Sequence, residues 1–286
     1  MTLPRLSVAP LLAGLAVAAL AFASGVAAEP TRFGTRSLDI PAPDGFEPVR
    51  KDLPQVFEIT EAYLPPGNRL VEIYLDSDTK AALLAGNPQD PSRYYQLQVL
   101  RQLDGVTISN EDFAANMAQV EAEIAKVAPT LDKQAADLAR SGNSKLQQQT
   151  GTDAQVSLSD VQYDGVFRRE PWGLFFTMGS NVSAGAERPT RLIAGSAIVM
   201  VQNQLLYLYC YTDDTGPESR RWAQENVVAW AQAIRAANPD DPATEATAQL
   251  GSGSRSSGVL RGAIVGALIG AIVGLSVWLL KRRNAG

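Results

Sequence analysis

The sequence predicts an α+β domain with a mostly antiparallel sheet packed against amphipathic helices, followed by one C-terminal transmembrane helix. Short runs of alternating apolar residues are separated by turn residues close together in the chain, which favours antiparallel pairing. Two longer segments carry apolar residues at helical spacing. Near the end of the chain, 19 consecutive residues from 262 to 280 carry no charge.

The domain is predicted to span residues 29–238 and to begin with an extended lead-in over residues 29–55, where Pro, Asp and Gly are frequent. Two strands, a short helix and a third strand are predicted to follow. Their ranges are 57–64, 69–75, Asp78–Leu84 and 93–100. The sequence Pro-Pro-Gly-Asn at 65–68 favours a turn between the first two strands.

A long helical stretch is predicted over residues 110–140. Ser109 can cap its first turn, and apolar residues recur every three or four positions in its first half. Pro129 lacks an amide proton, so it is expected to end or kink this helix, with a second helix running from Thr130 to Arg140. Residues 141–154 are predicted to form a polar loop.

Four strands, a closing helix and a linker complete the predicted order. The strands lie around residues 164–170, 173–179, 191–201 and 205–212, with turns at 170–172 and 202–203. The helix runs from Pro217, a residue that suits a first helical turn, to Ala237. Residues 239–258 are rich in Pro, Ser and Gly and predict a flexible linker.

This order of elements, closing with LLYLYCYT and an amphipathic helix, resembles the PsbP/Mog1-type α+β sandwich over roughly residues 45–237. The resemblance rests on element order. It implies that fold and a noncatalytic binding role.

The first 28 residues predict a secretory signal peptide. Arg5 precedes a long apolar run, and small residues stand before Glu29. Cleavage is expected after Ala28, with a site after Ala23 as the alternative. The apolar run is also long enough for an uncleaved anchor helix, and that alternative stays open.

Residues 259–280 predict a single transmembrane helix. The uncharged part of this segment would span about 28 Å as a helix, close to the thickness of the hydrocarbon core. The tail that follows, residues 281–286, begins with three basic residues, which predicts that it lies in the cytoplasm. With the signal peptide, this places the bulk of the chain in the periplasm of a bacterium, held at the inner membrane.

Glycine recurs at every fourth position of this segment, at Gly262, Gly266, Gly270 and Gly274. On a helix these residues form a stripe of small side chains, with alanines alongside, that lets two backbones approach closely. The spacing therefore predicts helix–helix packing, either in a homo-oligomer or with another membrane protein. The alternative is that the glycines only reflect the usual composition of membrane spans.

The charge distribution excludes some partners. All 30 acidic residues but only 20 of the 25 basic residues lie between positions 29 and 258, which gives that stretch a net charge of −10. Such a domain is repelled by phosphate backbones and by anionic lipid headgroups. Nucleic-acid binding is not expected, and contact with the bilayer is expected through the one helix.

The composition also excludes several kinds of catalysis. The chain has no histidine, so triads with a histidine base and zinc sites with imidazole ligands are absent. Its single cysteine, Cys210, cannot form an internal disulfide and does not stand at a lipidation site. The sequence predicts no catalytic residue, no cofactor and no metal site.

The strand around 205–212 predicts a buried thiol. Alternation places Leu206, Leu208 and Cys210 on one face and Tyr207, Tyr209 and Tyr211 on the other. We expect Cys210 to pack as a small apolar residue, with an intermolecular disulfide as the alternative. The three tyrosines are expected to lie beneath a helix, or else to line a groove.

The predicted hairpin at 170–172 holds the candidate partner contact. Arg168, Arg169 and Trp172 bring two guanidinium groups and an indole together near its tip. Arginine and tryptophan are frequent at the energetic centres of interfaces. The alternative is that Trp172 folds back onto the sheet.

The sequence YLDSDTK contains Asp76 and Asp78, which resemble the first motif of haloacid-dehalogenase-type phosphatases. The resemblance implies a nucleophile and a general acid. However, Lys80 stands where that motif has Thr or Val, and Asp78 is better explained as a helix N-cap.

Together these observations predict a noncatalytic, single-pass envelope membrane protein. Its periplasmic domain would bind or scaffold a protein partner, and its glycine-repeat span would mediate self-association. The alternative is a histidine-independent periplasmic hydrolase of unknown substrate that uses Asp76, Asp78 or Arg168.

Overall fold

The computed structural model describes residues 30–240, apart from 88, 89, 152, 154, 186 and 187. Several predicted segments lie outside the described residues: the signal peptide (1–28), the linker beyond Asp240, the transmembrane helix (259–280) with its glycine repeat, and the tail (281–286). Among the described helices, none combines the length and apolar character that crossing a bilayer requires.

A seven-stranded antiparallel sheet forms the centre of the domain, so the predicted α+β class is confirmed. Its strands, in chain order, are β3 (Phe46–Pro48), β4 (Asn68–Asp76), β5 (Arg93–Leu100), β6 (Val156–Glu170), β7 (Gly173–Ala184), β8 (Thr190–Val201) and β9 (Gln204–Asp213). The order across the sheet is β3-β4-β5-β9-β8-β7-β6. Two short strands, β1 (Thr31–Phe33) and β2 (Arg36–Leu38), form a separate hairpin.

Helices cover both faces of the sheet. They are α1 (Pro54–Ala62), α2 (Ser77–Leu84), α3 (Asn110–Val127), α4 (Leu131–Thr150) and α5 (Pro217–Ala237). One face packs against α5 and the β1–β2 hairpin, and the other packs against α1, α3 and α4. Each strand in the middle of the sheet therefore buries both of its faces, and the domain has three layers.

Most of the predicted elements in the second half of the chain are confirmed. Helix α5 has the predicted bounds. In the first half of the chain, Ser109 caps α3 as predicted, by accepting a hydrogen bond from the Asp112 backbone N–H at 3.0 Å. The turn between β8 and β9 holds Gln202 and Asn203 at φ values of 44° and 65°. Two consecutive left-handed residues are what a two-residue hairpin turn requires.

The prediction of a strand at 57–64 is wrong, because most of that segment belongs to helix α1. Pro54 stands in its first turn, where the fixed φ of proline favours a helix. Val56, Phe57 and Thr60 are buried on one side of the helix. The sheet position beside β4 is instead taken by β3, which comes from the predicted lead-in.

The predicted loop at 141–154 is also wrong over most of its length, because α4 continues to Thr150. Gly142 lies against the ring of Tyr63, and a Cβ there would be 2.2 Å from the nearest ring carbon. Asn143 accepts a hydrogen bond from the Tyr63 hydroxyl at 2.7 Å and bonds to both backbone groups of Val156. These long-range contacts, rather than local propensity, keep the segment helical.

Candidate functional site

An open cleft of about 470 Å³ lies at the β3 edge of the sheet, where β3 and α2 meet. Six residues line it: Glu47, Asp52, Ser77, Lys80, Ala81 and Leu84. Glu47 belongs to β3 and Asp52 to the connection between β3 and α1, while the other four are on α2. We refer to this feature as the α2 cleft.

The turn from β4 into α2 positions the cleft. Asp76 ends β4 and caps α2, with its carboxylate Oδ1 accepting a hydrogen bond from the Thr79 backbone N–H at 2.8 Å. The prediction that Asp78 is the N-cap of this helix is therefore wrong, since Asp78 lies within the first turn. Because Ser77 and Lys80 are three residues apart on the helix, their side chains point to the same side.

A network of charged hydrogen bonds forms one wall of the cleft. Lys80 Nζ lies 3.1 Å from Glu47 Oε2 and 2.7 Å from Asp52 Oδ2. The Ser77 hydroxyl donates to Glu47 Oε1 at 2.7 Å. The Lys80 side chain is only 8% exposed, whereas the side chains of Glu47 and Asp52 are 49% and 44% exposed. The carboxylates therefore face solvent more than the ammonium group does.

These contacts favour the ionised form of each group. The hydrogen bonds from Ser77 and Lys80 lower the pKa of Glu47, and the hydrogen bond from Lys80 lowers the pKa of Asp52. Burial alone would lower the pKa of Lys80, but its hydrogen bonds to Asp52 and Glu47 outweigh burial and raise that pKa. All three groups are consequently charged at neutral pH.

The charge states determine what the cleft can do chemically. A serine and a lysine one helical turn apart can act as nucleophile and base, but the base must be neutral. Lys80 is protonated and donates to two carboxylates, so it has no lone pair with which to accept the Ser77 proton. The cleft presents fixed charges, which suit recognition better than proton transfer.

The other wall of the cleft is apolar. It consists of Ala81 and Leu84 on α2. Leu84 is 56% exposed, which is high for a large apolar side chain in the described part of the chain. An apolar wall therefore stands directly beside a charged one.

The candidate contact residues of the β6–β7 hairpin lie far from the α2 cleft in the sheet order, because β6 and β3 form its opposite edges. The guanidinium of Arg168 donates twice to Glu170 Oε1, at 2.8 and 2.6 Å. Arg169 pairs with Glu121 of α3, and this hydrogen bond raises the pKa of Arg169. Both arginines therefore already have partners within the domain.

Trp172 folds back onto the α5 face of the sheet. Its ring meets Phe175 edge-on, with 5.6 Å between the centroids, and the guanidinium of Arg235 lies 4.9 Å from the Trp172 ring centroid. The side chain is half-buried. Arg168 lies opposite Phe175 in the sheet register, whereas Arg169 lies opposite Leu174, and the role of these arginines and of Trp172 in partner contact stays a prediction.

The expectations for the β9 strand are confirmed. Cys210 is fully buried on the α5 face, and burial raises the pKa of its thiol. The three tyrosines Tyr207, Tyr209 and Tyr211 are buried on the other face, where α3 and α4 pack. Burial raises the pKa of each of them, so no phenolate is present at neutral pH.

Sequence reasoning missed Glu47 and Asp52, since both lie in the segment that was expected to be an extended lead-in. The one available signal was the spacing of Ser77 and Lys80, although the predicted helix began only at Asp78. Among the described residues, no group of three or more acidic or cysteine side chains is placed to hold a metal ion. Neither a scan against protein-family models nor a search of the curated proteins finds a match for this chain.

Proposed function

We propose that this chain is a noncatalytic, single-pass envelope membrane protein whose periplasmic domain binds or scaffolds a protein partner. The observation that carries the proposal is the pairing within the α2 cleft. Lys80 pairs with both Glu47 and Asp52, all three groups are ionised at neutral pH, and the cluster keeps a net negative charge. The cleft thus offers a partner fixed charges and an apolar wall, with no group poised to transfer a proton.

The membrane part of the proposal is supported by the sequence. The first 28 residues have the three parts of a secretory signal, and residues 262–280 are uncharged and followed by a basic tail. The glycine repeat within this segment supports self-association through close helix packing. We place the domain in the periplasm and the tail in the cytoplasm.

Crosslinking of the full-length protein in membranes tests self-association. Gly270→Leu inserts a large side chain into the glycine stripe and is expected to abolish the crosslinked homo-oligomer. Ile272→Leu is the matched control, because residue 272 lies about 200° around the helix from Gly270. The control is expected to crosslink like the wild type.

The same preparation tests the rest of the proposal. The protein should sediment with membranes, and a reporter fused after Gly286 should be active only in the cytoplasm. Copurification after crosslinking should recover a partner protein. A soluble full-length protein, or recovery of neither a partner nor a homo-oligomer, would overturn the proposal.

One observation favours the alternative function, a hydrolase: Ser77 and Lys80 share an open cleft with two carboxylates. A panel of chromogenic esters and phosphate esters distinguishes the two functions. A turnover that is lost in both Ser77→Ala and Lys80→Met would establish the hydrolase. We expect the wild type to hydrolyse these esters no faster than the two variants do.

A further inference from the structure

The N-terminal segment of the described chain packs against the C-terminal end of α5, so the two ends of the domain lie side by side. Asn238, which follows α5, accepts a hydrogen bond from the Asp39 backbone N–H at 2.9 Å and donates one to the Asp39 carbonyl at 2.6 Å. The Trp230 indole donates to the Pro41 carbonyl at 2.9 Å. The segment that follows Pro30 is therefore fastened to the end of α5.

This place lies at the end of the sheet where β8 turns into β9. The Arg36 guanidinium donates to the Gln202 carbonyl at 2.6 Å, and the Gln202 side chain donates to the Pro239 carbonyl at 3.1 Å. The predicted linker begins at residue 239. The chain therefore leaves the described domain toward the predicted membrane anchor from this end, which we call the tether end.

The α2 cleft lies at the opposite end of the sheet. Strand β5 pairs Gln98 with Tyr207, near the β8–β9 turn, and β4 pairs Asn68 with Leu100 at the same end. The nine residues of β4 then run away from the tether end to Asp76, where α2 begins. At the rise of an antiparallel strand, this separates the cleft from the tether end by roughly 26 Å.

We infer that the α2 cleft docks a basic, extended peptide segment of the partner protein, with an apolar side chain of that segment against Leu84. The inference rests on the proposed binding function. Two half-exposed carboxylates, Glu47 and Asp52, surround one largely shielded ammonium group, so the surface offered to solvent is negative. A lysine or arginine side chain complements this wall, and a neighbouring apolar side chain complements the Ala81–Leu84 wall.

The cleft lies beside the edge strand β3, in which Pro48 has no backbone N–H and the Phe46 N–H already donates to the Pro43 carbonyl at 2.9 Å, so an extended ligand would be held here through its side chains. β3 is the outermost strand on this side, and no further strand lies beside it among the residues that the structure describes. An extended segment can align along such an edge with alternate side chains entering neighbouring pockets. The cleft volume of about 470 Å³ lies within the range of sites for small ligands and peptide side chains. Its distance from the tether end leaves it open to a partner on the side away from the anchor.

Two synthetic peptides test this inference on the detergent-solubilised full-length protein. Both are about six residues long and N-acetylated, one alternating leucine with lysine and the other alternating leucine with glutamate. Fluorescence anisotropy of the labelled peptides reports binding. The leucine–lysine peptide is expected to bind, and the leucine–glutamate peptide is expected not to bind.

Charge-matched variants locate the site. The double variant Glu47→Gln/Asp52→Asn is expected to weaken binding of the leucine–lysine peptide by about tenfold or more. The control Glu170→Gln/Asp240→Asn removes the same net charge at the tether end, and it should change binding by less than about twofold. Leu84→Ser, which leaves every charge in place, is expected to weaken binding as well.

The outcomes separate this inference from the proposed function. Equal weakening in the two double variants, equal binding of the two peptides, or no binding of either peptide would overturn the docking site. In each of these cases a crosslinked homo-oligomer or a recovered partner would still uphold the binding function. Loss of membrane association would overturn the proposed function alone.

Discussion

Gly195 of β8 lies directly beneath Ala223 of α5, so closely that a Cβ on Gly195 would be 2.2 Å from the Ala223 carbonyl oxygen. The helix backbone thus rests on the strand backbone at this point. A glycine is required because any side chain would push α5 away from the sheet. The burial of Ala223, Val227 and Trp230 depends on this contact.

Gly195→Ala is expected to lower the free energy of unfolding by about 1–3 kcal/mol, because the added methyl group overpacks this junction. Gly67→Ala is the control, since a Cβ at Gly67 would meet no atom within 4 Å. Urea denaturation followed by circular dichroism measures both variants. Equal stability of the two would show that α5 does not pack as described.

Two buried tyrosines are expected to respond in opposite directions to loss of the hydroxyl. The Tyr207 hydroxyl has no hydrogen-bond partner within the described part of the chain, whereas the Tyr63 hydroxyl donates to Asn143 at 2.7 Å. Tyr207→Phe should therefore raise the free energy of unfolding by about 1 kcal/mol, and Tyr63→Phe should lower it by about 1 kcal/mol. Thermal denaturation of the two variants checks this pair. A loss of stability in Tyr207→Phe would indicate a bound water at that hydroxyl.

The half-buried carboxyl group of Glu72 is expected to make the fold less stable as the pH rises. One oxygen of its half-buried side chain accepts hydrogen bonds from the backbone N–H groups of Val49, Arg50 and Ile73, at 3.2, 2.9 and 3.0 Å. Burial raises the pKa of Glu72, and these hydrogen bonds only partly offset that effect. The folded state then holds the proton more tightly than the unfolded state, so stability falls as the pH rises from about 4.5 through the folded pKa.

Glu72→Gln retains the accepting oxygen and removes the titration. The variant should melt at a higher temperature than the wild type at about pH 7, and the difference should shrink near pH 4. The exposed substitution Glu58→Gln on α1 serves as the control. A variant that is less stable than the wild type at every pH would contradict this account.

The ion pairs of the α2 cleft are expected to have the opposite effect, so that stability falls as the pH is lowered. Hydrogen bonds from Ser77 and Lys80 lower the pKa of Glu47, and the hydrogen bond from Lys80 lowers the pKa of Asp52. These contacts therefore stabilise the fold above the ordinary values of 4.5 and 3.8, and that stabilisation is lost as the pH falls through the lowered values. When the pH is lowered from about 6 to about 3, the free energy of unfolding of the Lys80→Met variant should therefore fall less than that of the wild type. Lys126→Met, which removes an exposed lysine paired with Glu123 of the same helix, should follow the wild type. Melting temperatures across this range decide the matter.

Strands and helices with a strong internal pattern could be predicted from the sequence. The alternation of residue types identified β5 and β9, although the structure buries both faces of each strand. The apolar stripe from Ala223 to Ile234 identified α5, because burial in this helix follows the helical period. The segment at 57–64 was misassigned because its apolar residues fit both a strand and a short helix. The second half of α4 was missed because Tyr63, more than 70 residues earlier, keeps it helical.

The candidate site was harder to predict than the fold. Glu47 and Asp52 reach Lys80 across about 30 residues of intervening chain, through the pairing of β3 with β4. Nothing in the lead-in marks these carboxylates as members of a cleft. The hairpin residues Arg168, Arg169 and Trp172 were selected by composition, which gives no information about the partners that they already have inside the domain.

The Asn238–Asp39 hydrogen bonds have a consequence for the biogenesis of the protein. Since the two ends of the domain emerge side by side, the domain can fold in the same way whether or not the leader is removed. In the topology proposed above, a retained leader and the C-terminal segment would both join the domain at its tether end. If that proposal holds, processing by a signal peptidase would set the number of membrane anchors without altering the described domain.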